Sequence, residues 1–219
     1  MRSVIFIVLV LLLPFAAAAN PPQASADDPV SDESAIQTFG VAVPHFVDCS
    51  APTADITHVD MSAAGGQLKV TITVSDLANN KVSCPFFSSM TIPSALWEAS
   101  FTPFDATTGV NAGDSIRVGL QRNDGEYTSC GGVTWSDQST SNCVPIDFVI
   151  AANSVTLSMP STGFAIDSTT GAERAYDVHG DTIGAFADTQ AIIPSVTVFG
   201  IWTGFTSVTD SVSLPNLSS

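Results

Sequence analysis

The hydrophobic positions of this chain recur every second residue rather than every third or fourth. In Gln67–Ser75, Leu68, Val70, Ile72 and Val74 alternate with Lys69, Thr71, Thr73 and Ser75. Successive side chains of an extended strand point to opposite faces, so this pattern predicts a strand with one buried face. Ile116, Val118 and Leu120 alternate in the same way with Arg117, Gly119 and Gln121. Asn123-Asp124-Gly125 then marks a hairpin turn into Glu126–Ser129. Further strands are predicted at Asp55–Met61, Leu96–Thr102, Ile146–Ile150, Ser154–Met159, Thr182–Asp188 and Ser195–Thr203. The stretches Asp105–Asp114 and Ser161–Gly180 are rich in Gly, Thr and Asp and read as connections. Many short strands separated by turn signals predict an all-β fold, an antiparallel β-sandwich of jelly-roll or immunoglobulin-like type.

The N-terminus departs from this alternation. Arg2 precedes an almost wholly apolar run from Val4 to Phe15, and Ala16, Ala17, Ala18 and Ala19 follow. That order predicts an export signal over residues 1–19, removed ahead of Asn20. The run is shorter than the ~20 residues a bilayer-spanning helix needs, so no membrane association is expected after cleavage. Residues 20–34, rich in Pro, Ala, Ser and Asp, read as a disordered linker. Residues 35–219 then form one β-sandwich domain, in line with an allowance of about 150 residues per domain. The expected location is extracellular.

Composition narrows the partners. Twenty-one acidic residues face six basic ones in 219 residues, a formal net charge of −15. Phosphate neutralisation needs clustered Lys and Arg, so nucleic acid is not an expected partner, and neither is an anionic membrane. Asp outnumbers Glu 17 to 4, which suits turns better than helices. The four cysteines, Cys49, Cys84, Cys130 and Cys143, allow three pairings. The most economical joins Cys130 to Cys143 and leaves Cys49 for Cys84. Structural disulfides suit an exported chain better than zinc, because no CxxC and no histidine pair lies nearby.

The order Asp55-Ile-Thr-His-Val-Asp60, a Gly-Gly turn and Leu68-Lys-Val-Thr-Ile-Thr-Val-Ser-Asp76 is one element of a family layout. Asp114-Ser-Ile-Arg-Val-Gly-Leu, a short hairpin and Asn153-Ser-Val-Thr-Leu-Ser-Met-Pro160 continue it. Together they resemble the secreted ligand-binding sandwiches grouped with DOMON domains and family 9 carbohydrate-binding modules. The resemblance implies sugar binding, often with structural calcium, or the holding of haem or another small ligand. The aromatic candidates for a sugar are Trp97, Trp135, Trp202, Tyr127 and Tyr176. A sugar face needs a flat, exposed ring. Trp135, in the polar segment between Cys130 and Cys143, is the leading candidate, with Tyr127 beside it. Trp97 and Trp202 have apolar strand neighbours and are expected in the core. For haem, Met61, Met90, Met159, His45, His58 and His179 show no matching spacing.

Calcium would draw its oxygens from Asp105, Asn111 and Asp114 in one Gly-containing loop. Asp177, His179 and Asp181 fall on alternate positions, as do His58 and Asp60, and read as solvated segments. No Gly-x-Ser-x-Gly elbow, His-Glu-x-x-His, P-loop or dinucleotide fingerprint occurs. Glu98 and Glu126 are the only Glu residues in predicted strands. The chain therefore reads as an exported, non-catalytic module for a carbohydrate or another small extracellular ligand, with no cofactor other than calcium. The alternative is a structural or adhesive surface domain with a protein partner.

Overall fold

The computed structural model describes residues 23–29, 34–39, 43–47, 49–84, 87–105, 107–178, 182–192, 196–198 and 201–218. The export-signal segment, His179 and Asp181 lie outside the described residues, as do the side chains of Cys84, Met90, His45 and Trp202. Among the described residues every strand pairing is antiparallel. A five-stranded sheet runs in the order β1 (Gln23–Asp27), β4 (Ile56–Ala64), β5 (Gln67–Val74), β12 (Ser154–Pro160) and β11 (Asp147–Ala151). The larger sheet begins with β10 (Glu126–Thr134), β9 (Ser115–Asn123), β8 (Ser94–Phe104) and β15 (Thr182–Ile192). It continues through β17 (Ile201–Ser218), β2 (Ser34–Phe39) and β3 (Val43–Val47), with β16 (Val196–Val198) paired to β17. Two hairpins stand apart, β6 (Lys81–Cys84) with β7 (Phe87–Thr91), and β13 (Thr162–Ile166) with β14 (Glu173–Asp177).

The predicted alternation becomes the packing. Leu68, Val70, Ile72 and Val74 of β5 and Val155, Leu157 and Met159 of β12 form one wall of the core. Ala95, Trp97, Ala99 and Phe101 of β8, with Ile116, Val118 and Leu120 of β9, form the other. Each fully buried large side chain contributes roughly 1.5–3 kcal/mol, which makes the two-sided wall the main source of stability. The outer positions remain polar, and Thr71 and Thr156 join β5 to β12 through their hydroxyls at 3.0 Å. At the β9–β10 hairpin Asp124 and Gly125 both have positive φ, 48° and 90°, as a two-residue turn matched to strand twist requires.

Two stretches read as irregular are strands. Residues 23–27 were expected within a disordered linker, yet they pair with β4 from Gln23 opposite Ser62 to Asp27 opposite His58. Ala24 and Ala26 face the core there, small enough for an edge strand laid over Met61 and Val59. The stretch Ser161–Gly180, expected as a connection, carries the β13–β14 hairpin. Its strands alternate weakly, because only Ala165 and Tyr176 turn inward.

Cys130 and Cys143 form a disulfide with a Cα–Cα distance of 5.4 Å. Closing that short loop contributes about 3 kcal/mol on the chain-entropy argument. It holds residues 140–144 along the free edge of β10, where Gly131 bridges Val144 and Thr134 bridges Thr140. Cys49 is also disulfide-bonded. An antiparallel bridge between Ser50 and Ser83 sets residue 49 opposite residue 84.

The connection into β4 runs through the interior. Ala51, Thr53, Ala54 and Asp55 are buried, so their backbone groups need partners within the protein. The Trp97 indole N–H donates to the Thr53 carbonyl at 2.9 Å, and the Thr189 hydroxyl donates to the Ala54 carbonyl. The Ser75 hydroxyl donates to the Asp55 carboxylate. The Ile56 amide donates to Oδ2 of Asp210 at 2.7 Å. The bonds from Trp97, Thr189 and Asp210 join β4 and the connection leading into it to β8, β15 and β17 of the other sheet. Asp210→Ala leaves a buried amide without its acceptor and is expected to lower unfolding stability by about 1–3 kcal/mol. Urea denaturation measures it, and an unchanged midpoint would show that the Ile56–Asp210 bond carries no stability.

Candidate functional site

Among the described residues a concavity opens at the end of the sandwich where the β9–β10 and β11–β12 hairpins turn. It encloses about 690 Å³, a size suited to a small molecule. Tyr127 and Ile150 form its rim, Leu77 and Ile92 part of its walls, and Arg122 also lines it. Tyr127 lies opposite Arg122 in the β10–β9 register, so both side chains leave the sheet on the same side. The Tyr127 ring is 38% exposed and stands 6.5 Å from that of Phe148. Arg122 is 8% exposed. Its guanidinium lies 5.6 Å from the Trp97 ring centroid and donates through Nη1 to the Leu77 carbonyl at 3.2 Å. Thr53 donates to the same carbonyl, so the buried connection into β4 also steadies this wall of the cleft. Ala152, on the lip, has a φ of 50°. A left-handed backbone at a residue with a Cβ costs roughly 1 kcal/mol and is retained where surrounding structure demands it.

Comparison with protein-family models, with curated proteins and with solved structures returns no match.

Of the two aromatic residues expected to meet a ligand, Tyr127 lies in the cleft and Trp135 does not. Trp135 is 2% exposed, its indole N–H donating to the Ala175 carbonyl at 2.8 Å. The Arg174 guanidinium lies over the ring, 4.3 Å from its centroid. Arg174 in turn bonds Asp137 at 3.0 Å and Asp167 at 3.2 Å. A sugar cannot stack on a ring covered in this way, which corrects the expectation for Trp135: it docks the β13–β14 hairpin onto the sandwich. The polar sequence around it builds the cover. Hydrogen bonds from Ser139, together with Arg174, hold the Asp137 carboxyl down at about 2. Trp97 is fully buried, as expected.

The proposed calcium ligands serve separate turns. Asp105 accepts the amides of Thr107 and Thr108, and Asn111 accepts that of Gly113. Asp114 accepts from the amides of Ser136 and Asp177 through its two oxygens. A bound ion would have to compete with those bonds. Among the described residues no three His, Cys, Asp or Glu side chains gather as a metal-holding group. His58 and Asp60 do share a face, and His58 also meets Asp27 at 2.6 Å on the exposed edge strand. The bond to Asp27 raises the His58 pKa, partly offset by burial. Met61 and Met159 are core residues.

A second concavity lies on the outer face of the larger sheet, above Gly119. Glu98 of β8 and Asp188 of β15 face each other directly across the strands. Arg117 from β9 bonds Glu98, and Asp188 hydrogen-bonds to the same carboxylate. Desolvation, followed by Glu98, pushes the Asp188 carboxyl up to about 7, against a lowering by Arg117.

The folded protein thus holds a proton on Asp188 that the unfolded chain releases near its ordinary value of 3.8. Stability from this group is full below that value and is lost as pH rises from about 4 to about 7. Asp188→Asn keeps a donor toward Glu98 without titrating, so the fall in urea midpoint between those pH values should flatten. An unaltered slope in the variant would show that Asp188 is ionised throughout.

Proposed function

We propose that this protein is an exported, non-catalytic β-sandwich module that binds a carbohydrate or another small extracellular ligand in the cleft at Tyr127. The observation that carries the reading is the exposed Tyr127 ring standing over a concavity of about 690 Å³ with Arg122 in its lining. An exposed aromatic face beside a few polar groups is the arrangement that small-ligand sites use. Positive φ at Asp124, Gly125 and Ala152 sets the lip before any ligand arrives. The Glu98–Asp188 pair supports binding over hydrolysis. Its carboxyls bond each other and Glu98 also bonds Arg117, whereas glycoside cleavage needs carboxyls roughly 5–10 Å apart with room for the sugar.

One observation favours a second reading, a structural or adhesive domain with a protein partner. Strand β11 forms one edge of its sheet, and its Phe148, Val149 and Ile150 are all exposed. An edge strand with apolar side chains and unpaired backbone groups can accept a partner strand.

A glycan array probed with the chain from Asn20 onward separates the two. Selective binding that falls at least about tenfold in Tyr127→Ala, with the variant's urea midpoint unchanged, is the expected result for a site resting on one aromatic platform. Binding that survives Tyr127→Ala would remove the cleft from the mechanism. A blank array, together with capture of a partner lost on Val149→Lys, would favour the adhesive reading.

A further inference from the structure

We propose that the cleft selects ligands bearing a carboxylate, anchored by Arg122, with the apolar body of the ligand against Tyr127 and Ile150. The inference rests on the cleft being the binding site and adds the chemical class of what it takes. Arg122 occupies an inward-facing position of β9, continuing the series Ile116, Val118 and Leu120. It is more than nine-tenths buried, yet its Nη2 has no hydrogen-bond partner among the described residues. Its bonding amounts to one carbonyl, that of Leu77, and the face of Trp97. Neither neutralises its charge.

A desolvated guanidinium without a counter-charge is unfavourable, and a carboxylate meets its paired N–H groups with matching geometry. The other two described arginines follow that rule, Arg117 on Glu98 and Arg174 on Asp137 and Asp167. In a chain with 21 acids and six bases, a carboxylate is the commonest partner on offer. Arg122 nonetheless lines a cleft in which Asp124, exposed at the hairpin tip, is the one acidic side chain among the described residues. The carboxylate that completes Arg122 is therefore assigned to the ligand. A phosphate dianion fits less well, because no second cation among the described residues lines the cleft and Asp124 would repel it.

The native chain, labelled with ¹⁵N, decides the matter by titration at constant ionic strength with matched acid and neutral probes. Glucuronate against glucose represents an acidic sugar, phenylacetate against phenylacetamide an aromatic acid, and inorganic phosphate is the third arm. The expected result is that at least one acid binds about tenfold or more tightly than its neutral partner, as one charge-assisted bond provides. It should shift the amides of Asp124, Gly125 and Ala152 and the Arg122 side chain, and the pair that responds identifies the source of the carboxylate. Arg122→Gln should level acid and neutral affinities; if that variant does not fold, the matched pairs on the native chain still decide. Equal binding of acid and neutral probes at the cleft would overturn the carboxylate assignment and leave the cleft as the site. Phosphate binding there more tightly than either acid would do the same. A cleft silent toward every probe would overturn both.

Discussion

The buried connection Ala51–Ile56 is the constraint on which the rest of the structure depends. A loop through a protein interior is unfavourable unless each peptide group finds a partner, and here the partners come from distant strands. Trp97 of β8, Thr189 of β15 and Asp210 of β17 each bond to it. The two sheets are thereby joined by directed bonds as well as by hydrophobic contact. The same bonds reach the cleft. Trp97, fixed through the Thr53 carbonyl, is the surface over which Arg122 lies, and Leu77 accepts from both Thr53 and Arg122.

The three described arginines show how environment decides what one residue type does. Arg117 stands mostly in water and steadies a carboxyl pair on the outer face of a sheet. Arg174 covers an indole and ties two aspartates around it, so its role is to hold a hairpin. Arg122 lies by an indole as well, but it sits between the sheets, and among the described residues no acid pairs with it. An indole neighbour is common to the last two, and the difference lies in how each charge is met.

Much of the fold was legible because period two survives wherever large apolar residues alternate with Thr, Ser or Lys. The cores of β5, β8, β9 and β12 follow directly from it, as does the Asp124-Gly125 turn. Strands β1, β13 and β14 were not legible: small residues give β1 almost no contrast between faces, β13 turns Phe164 and Ile166 outward, and β14 buries only Tyr176. Trp135 was misread for a related reason. Polar neighbours usually mean exposure, but here Asp137 and Ser139 hold the arginine that covers the ring. That arginine belongs to a hairpin more than thirty residues further on, beyond the reach of local pattern. Arg122 also carries a sequence signal. It falls on the inward register of its strand, where a polar residue signals a buried charge.

The order of strands within the sheets has a consequence for how the chain acquires its structure. Strand β8 finds one neighbour, β9, soon after it, but its other neighbour, β15, begins only at Thr182. Strand β5 likewise waits for β12, which begins at Ser154. Distant pairings of this kind require large loops to close before the contacts that reward closure exist, which slows folding. A chain emerging from its N-terminus therefore carries central strands with one side unpaired until nearly all of it has been made. During that interval the interior strands are themselves edges, and any factor that shields them governs the yield of native protein.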